Sequence, residues 1–275
     1  MTLLSRFFSV LETRMVPPRL CLWRTVYLNF RVLSFSQAIK LPIFIYGKVK
    51  FPNLAGYVEF KDCEVKRGMI KIGKQDPFSV NSGQGFVGIA PKGKIIFHGP
   101  ANISTNVSLR IFGSGELNIG KFILLGSGVK VICNGGIITI GDYTRIAFNT
   151  NIINSSFHSI IELDTGKICN HIRPIEIGEK TWIGNNSSIA GGSRLKSATI
   201  VGAGSFVNKD FTKLEQENQL IGGRPAKLIK SGYRRIFNPN MEEKIIRHFM
   251  ENPNDTTLIV ENFEDDMHEI EKEFK

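Results

Sequence analysis

Five histidines are scattered through the 275 residues, and two of them, His158 and His171, share one stretch, NSSFHSIIELDTGKICNHIRP. An imidazole is the side chain whose ordinary pKa lets it take up and return a proton near neutrality, so a loop histidine is a natural general base. His98, His248 and His268 lie outside that stretch and are expected to be surface or structural residues. A catalytic zinc would need three converging ligands. His98, His158 and His171 are the histidines of the central region, their spacing does not suggest convergence, and no metal is expected. The four cysteines, Cys21, Cys63, Cys133 and Cys169, form no CxxC pair. They read as free buried thiols rather than a zinc site or a disulfide framework.

The element that must carry this stretch is announced by a period of six. Ile177, Ile183, Ile189, Leu195, Val201 and Val207 recur without a break, with Gly178, Gly184 and Gly202 following the aliphatic and Ala190 in the same place. Small hydroxyls stand two residues before the aliphatic, at Thr181, Ser187, Ser193, Thr199 and Ser205. Upstream the period returns in threes: Ile140, Ile146, Ile152; Ile119, Leu125, Val131; and Phe97, Ile103, Leu109. Three sixes make one 18-residue coil, and the phase slips between groups contain Gly113 and Gly115, then Gly135 and Gly136. A fixed short period specifies a solenoid, and turn insertions at one corner leave neighbouring coils matched. The pattern predicts a triangular prism of short parallel strands, one inward aliphatic per side, with glycine giving the corner its backbone freedom. An amphipathic helix would space its apolar residues by three and four, so it does not fit 177–207. Between Ile152 and Ile177 the repeat is interrupted for about 20 residues, and long excursions from a compact solenoid are usually functional. That excursion, 153–174, holds both histidines.

Around the solenoid, residues 1–40 read as a helical, basic-amphipathic extension punctuated by Pro17 and Pro18. Segment 41–94 reads as an irregular entry to the prism, 95–212 as the β-helix, and 213–275 as a closing loop followed by acidic helices. Either terminal element is expected to cover an open end, where unpaired strand edges invite aggregation. With 42% hydrophobic and 22% charged residues and 27 glycines, the composition is that of a globular protein. The net charge of +10 is uneven. Residues 1–50 carry eight Lys and Arg against one Glu, while 238–275 carry four against 11 acidic residues. A basic body suits an anionic small ligand or membrane surface; nucleic acid is not expected, since no binding motif accompanies the charge. Arg19, Arg24 and Arg31 break the most apolar stretch below the roughly 20 residues of a membrane span. Arg6, Glu12 and Arg14 leave no apolar core for a signal peptide, so a cytoplasmic location is expected.

The segment IGEKTWIGNNSSIAGGSRLKSATIVGAGSFVNKD, followed by GGRPAKLIK, resembles the C-terminal half of the hexapeptide-repeat acyltransferases, nearest to the maltose, galactoside and cell-surface polysaccharide O-acetyltransferases. The resemblance covers roughly residues 119–230. It implies an all-β, left-handed parallel β-helix with helical extensions, acetyl-CoA as acyl donor, and a saccharide hydroxyl as acceptor. His158 stands where such enzymes carry their catalytic histidine, and His171 is the runner-up. Asn185, Ala203, Asn208 and Lys209 would line the coenzyme groove, with Lys227 and Lys230 at its phosphates. Trp182 is a candidate groove wall, and Ser127 and Asn154 are candidate acceptor contacts. Related enzymes often carry an Asp-x-Asp-Phe-His pattern; here Asn154, Ser155 and Ser156 hold the preceding places. Asn154, a backbone carbonyl, Glu162 or Asp164 are left as candidates to orient His158.

A flat-faced prism can close with cyclic symmetry, so a homotrimer with inter-subunit active sites is expected. The basic N-terminus also allows proximity to an anionic membrane. Two other readings stand beside the O-acetyltransferase: an N-acyltransferase of an amino sugar, and a non-catalytic β-helix scaffold.

Overall fold

The computed structural model describes residues 18–76, 83–261 and 263–275; the part of the expected N-terminal helical extension before residue 18 lies outside them. The chain winds as a three-sided parallel β-helix, each coil passing from a first face to a second and then a third. The six-residue period maps onto three inward ladders. Ile103, Leu125, Ile146, Ile183 and Val201 stack on the first face. Leu109, Val131, Ile152, Ile189 and Val207 stack on the second, and Phe97, Ile119, Ile140, Ile177 and Leu195 on the third. Every one of these side chains is buried. The recurrent hydroxyls are buried with them and close the corners: Thr181 Oγ1 donates to Gly178 O (2.7 Å), Ser193 Oγ to Ala190 O (2.6 Å) and Thr199 Oγ1 to Lys196 O (2.8 Å). A corner carbonyl has no ladder partner, so a buried hydroxyl three residues on supplies one.

The glycines after the aliphatic have a different reason from the one read off the sequence. Gly178 and Gly184 are not in the left-handed region. A Cβ on Gly178 would lie 2.4 Å from Ser197 N, and one on Gly184 2.6 Å from Ala203 N. It is the close approach of the next coil that excludes a side chain. The left-handed residue comes two places later, at Lys180 and Asn186 (φ 55° and 57°), and at the first-to-second corner the same position is held by Asn106, Gly128, Asn149, Asn186 and Gly204. Asn and Gly are the residues that tolerate this conformation.

Regular rungs already run through the expected entry segment. Ile43–Ile45, Val49–Leu54 and Tyr57–Phe60 form the first coil, with one register shift between Lys50 and Asn53, around Pro52. Helix α1 (Leu22–Val32) covers the raw edge of that coil. Ile45 N donates to Thr25 Oγ1 (3.0 Å), Ile43 N to Asn29 Oδ1 (3.1 Å), and Asn29 Nδ2 to Ile43 O (2.7 Å). Two polar side chains thus take the place of a missing strand. One turn of helix, α2 (Phe35–Ala38), follows. At the far end Ala226–Lys230 pairs antiparallel with Leu220–Gly223 instead of continuing the coil. Helix α3 (Pro239–Glu251) leads to α4 (Met267–Lys272), and the acidic C-terminus then lies along the first face rather than across an end. Lys71 Nζ donates to the carbonyls of Phe274 and Lys275 (2.9 and 2.8 Å), Tyr143 Oη to Glu271 (2.7 Å), and Arg145 pairs with Glu273 (3.4 Å).

Ile189 is 1% exposed in the second-face ladder, between Ile152 and Val207. Ile189→Ala is expected to cost about 2–5 kcal/mol in urea unfolding, and Thr199→Val about 1 kcal/mol, because the Lys196 carbonyl keeps only the longer contact from Thr181 Oγ1 (3.4 Å). A loss well under 1 kcal/mol for Ile189→Ala would show that the ladder is not the stabilising core.

Candidate active site

All the irregularities of the upper coils gather on one corner. The Gly113–Gly115 and Gly135–Gly136 turns join the second face to the third, and the long excursion leaves from the same corner, between strands Asn151–Ile153 and Ile175–Ile177. The excursion is not irregular. Ile161–Glu162 pairs antiparallel with Lys167–Ile168, so it projects as a β-hairpin arm. Its root is closed by a bridge between Ser155 and Ile172 and by Arg173 N donating to Asn154 O (3.0 Å). A Cβ on Gly191 would stand 2.5 Å from that same Asn154 carbonyl, so glycine lets the next coil pass beneath the arm. Ile160, Ile161, Leu163 and Ile168 are exposed along the arm.

At the root lies a cavity of about 710 Å³ that both His158 and His171 line, together with Arg173, Ser188, Ala190 and Phe206. The two imidazoles are held differently. Ser155 Oγ accepts from Phe157 N (3.0 Å) and from Asn134 Nδ2 (3.3 Å), which occupies both of its lone pairs. Its own hydrogen is then left for His171 Nδ1, 2.8 Å away. A hydroxyl has one proton and two lone pairs, so Nδ1 of His171 is the acceptor and neutral His171 carries its proton on Nε2. His158 has no side-chain hydrogen bond among the described residues; only its carbonyl is used, by Ser156 Oγ (2.8 Å). Phe157, immediately before it, sits in the left-handed region (φ 61°), clamped by the Ser155 contact and by an edge-to-face contact with Phe112 (5.7 Å). Such a conformation costs a non-glycine residue roughly 1–3 kcal/mol and persists only where surroundings impose it.

The predicted site residues fall into three groups. His158 and His171 meet in the cavity. Asn208 and Lys209 sit on the same corner two coils further on, with the Lys209 ammonium 5.0 Å from the Phe211 ring centre. Asn185 and Ala203 lie one above the other on the opposite corner, between first and second faces, where Gly204 N donates to Asn185 O (2.8 Å). Ser127 belongs to that corner too, lower down, and is buried: its hydroxyl bonds Thr105 and its amide bonds Asp76. A second cavity, of about 490 Å³, opens there against Trp182, Asn185, Phe148, Arg145 and Arg235. Lys227 and Lys230 are exposed on the closing antiparallel strand, Lys230 lying 5.5 Å from the Tyr233 ring centre.

Asn154 is a correction. Its amide is fully buried and committed to the corner, donating to Gly135 O (2.7 Å) and accepting from Asn134 N (2.8 Å), so it neither contacts an acceptor nor orients His158. Neither Glu162 nor Asp164 hydrogen-bonds His158 among the described residues; Glu162 is in the arm's first strand, where its carboxylate accepts from Thr165 Oγ1 (2.5 Å). Nor are the thiols uniformly buried: Cys133 is, Cys21 and Cys63 are half-buried, and Cys169 is exposed on the cavity wall. Among the described residues no group of three His, Cys, Asp or Glu side chains is placed to hold a metal ion, and His98 instead bonds Asp62 (3.1 Å). Ser155 and Arg173 also line this cavity and were not singled out in the sequence; the Ser155–His171 pair spans 16 residues and becomes visible only when the arm closes on itself.

No family model matches the chain. Over 139 residues it is 30% identical to WbbJ of Escherichia coli K12, designated a lipopolysaccharide biosynthesis O-acetyl transferase, an alignment covering 47% of this chain and 68% of that one. Over 138 residues it is 30% identical to WcaF of the same organism, designated a colanic acid biosynthesis acetyltransferase, covering 44% and 71%. This chain belongs to the hexapeptide-repeat acyltransferases. The crystal structure of the polySia-specific acetyltransferase NeuO superposes with a TM-score of 0.53 over 80% of this chain and 94% of that one, at 18% identity, and so shares its fold. The family places the chain among acyl-transferring enzymes, and the β-helix is its frame.

Burial pushes the Cys133 thiol up to about 11, whereas Cys169 is exposed at the cavity. A maleimide at neutral pH is expected to label Cys169 and spare Cys133, read by peptide mass spectrometry; the thiolate is the reactive form. Labelling of Cys133 in the folded protein would contradict the closed corner around it.

Proposed function

We propose that this protein is an acetyl-CoA-dependent O-acetyltransferase acting on a saccharide hydroxyl, with His158 as general base. The observation that carries the reading is the pairing of two unlike imidazoles in one cavity: His158 with its ring unpartnered, and His171 with Nδ1 tied to Ser155. The proposed cofactor would supply an activated acetyl thioester. His158 takes the proton of the acceptor hydroxyl as its oxygen bonds to the thioester carbonyl carbon, then returns it to the departing sulfur. His171, protonated at Nε2, is the candidate donor to the oxyanion that develops between those steps. Lys209, Lys227 and Lys230 are exposed and form no ion pair among the described residues, a set that fits the phosphates of the donor.

In this reading Asn185, Ala203 and Trp182 line the donor groove. They stand on the corner opposite the arm, which one prism cannot fold back to meet. The family's left-handed winding and a cyclic homotrimer resolve this: the arm of one subunit, with Ile160, Leu163 and Ile168 exposed, lies against the first-to-second corner of its neighbour. The names of the relatives support a saccharide acceptor, and the proposed acceptor site lies between subunits; Ser127, a candidate contact there, is buried with its hydroxyl bonded to Thr105 and would have to rotate to reach it. The place of action is then the cytoplasm or the membrane face bordering it.

His158→Ala is expected to lower coenzyme A release with a sugar panel by about 10²–10⁴, with an unchanged unfolding midpoint. His171→Ala is expected to lower kcat with less effect than His158→Ala, because the proton acceptor is intact. Near-normal turnover in His158→Ala would remove that imidazole from the reaction. Mixing His158→Ala subunits with Asn185→Asp subunits restores activity if the site is shared; additive inactivity would place the whole site in one chain.

A further inference from the structure

The helix that covers the first coil is built the wrong way round for a helix whose only partner is the solenoid. Its inward face, Thr25, Leu28, Asn29 and Val32, is half polar, because Thr25 and Asn29 serve the strand edge. Its outward face is apolar: Leu22, Trp23, Val26, Tyr27 and Phe30 are all between 43% and 65% exposed. At about 100° per residue those five positions fill one arc of roughly 140°. Phe35 (74%) and Ile39 (58%) extend the patch, linked by the Phe30–Phe35 ring contact at 6.0 Å. Such a contiguous apolar surface marks an interaction site.

The charge around it is of one sign. Between residues 18 and 58 there are six cations, Arg19, Arg24, Arg31, Lys40, Lys48 and Lys50, and no carboxylate. None of the six forms an ion pair among the described residues. Arg24 and Arg31 fall on the helix just beyond one edge of the apolar arc, Arg24 held by Gly47 O (2.8 Å) over the Trp23 ring (4.7 Å). No helix among the described residues is long and apolar enough to cross a membrane. An apolar stripe bordered by unpaired cations is instead the pattern of a helix that lies in a lipid interface.

We propose that this end of the solenoid, α1 with Phe35 and Ile39, is a docking surface for an anionic lipid bilayer. The aromatic and aliphatic side chains enter the headgroup boundary, while Arg24, Arg31 and Lys40 meet lipid phosphates. A second copy of the chain is the less suitable occupant, since a two-fold contact would set the same unpaired cations against themselves.

The full-length protein is expected to sediment with vesicles of equal parts phosphatidylglycerol and phosphatidylcholine, to release with added salt, and to stay in solution with phosphatidylcholine alone. Trp23→Asp with Phe30→Asp, both at exposed positions, abolishes sedimentation while keeping the oligomeric state and coenzyme A release with a soluble sugar. Arg31→Glu with Lys40→Glu weakens binding by about tenfold or more. In a Trp182→Phe background, Trp23 is the remaining tryptophan, and its emission moves to shorter wavelength on the mixed vesicles. Failure to sediment, equal binding to neutral vesicles, an unmoved emission, or dissociation of the native oligomer by Trp23→Asp with Phe30→Asp would each overturn the proposal, the last in favour of self-association.

Discussion

Everything in this molecule depends on the requirement that each coil match the one beneath it. Inward aliphatics stack in register along three faces, and the backbone of each rung pairs with the rungs above and below. That constraint is strict inside and permissive at the corners, because a chain that leaves at a corner and returns to the same rung disturbs no ladder. Ile152 and Ile189 remain paired although the arm lies between their coils. The chemistry can therefore be carried on an insertion without weakening the frame, and the frame in turn fixes both ends of the insertion. The arm's root is bound to coil backbone at Asn154 and overlies Gly191, so its first residues take their geometry from the solenoid.

How much of this could be read beforehand follows from the same constraint. Where coils are minimal, as between Ile183 and Val201, ladder partners stand 18 residues apart and the period is plain. In the first coils the partners Ile45, Ile72 and Ile103 stand 27 and 31 apart, so rungs that are just as regular in space leave no fixed period in the sequence. The glycines were visible but their reason was not. A residue that makes room for a neighbouring coil and one that permits a left-handed turn look the same in one dimension, and only the backbone distinguishes Gly184 from Gly204. The place of His158, at the root of the arm beside the cavity, was legible because it stands at the break in the period. Ser155 was not, because its partner is brought to it by an antiparallel hairpin that the repeat does not encode. Asn154 was misassigned for the opposite reason: a polar residue beside a candidate histidine suggests a ligand contact, yet at a corner it satisfies backbone groups the ladder leaves unpaired.

The two imidazoles illustrate how a rigid frame can differentiate identical side chains. Ser155 is buried at the closed root, where its lone pairs are consumed by Phe157 N and Asn134 Nδ2. The direction of its remaining hydrogen, and with it the tautomer of His171, follows from that occupancy. Three residues beyond Ser155, His158 emerges from a left-handed turn into solvent with no such tie. On the proposed reading, one ring is held as a donor while the other is left able to gain and lose a proton. No carboxylate is required near His158 for this division, which is consistent with Asn154, Ser155 and Ser156 standing where related enzymes often have acidic residues.

A solenoid also has two ends, and the way each is closed shapes what the outside can do. At the far end Ala226–Lys230 pairs back antiparallel, which satisfies the last rung with main chain and leaves its side chains free to be lysines. At the near end the last rung is satisfied by side chains, Thr25 and Asn29, which must therefore face inward. A helix has only one circumference: Thr25 and Asn29 share the inward arc with the apolar Leu28 and Val32, while Leu22, Trp23, Val26, Tyr27 and Phe30 lie outward. The apolar outer face of α1 is thus not what closes the first rung, and the cations bordering it decide which kind of surface it suits.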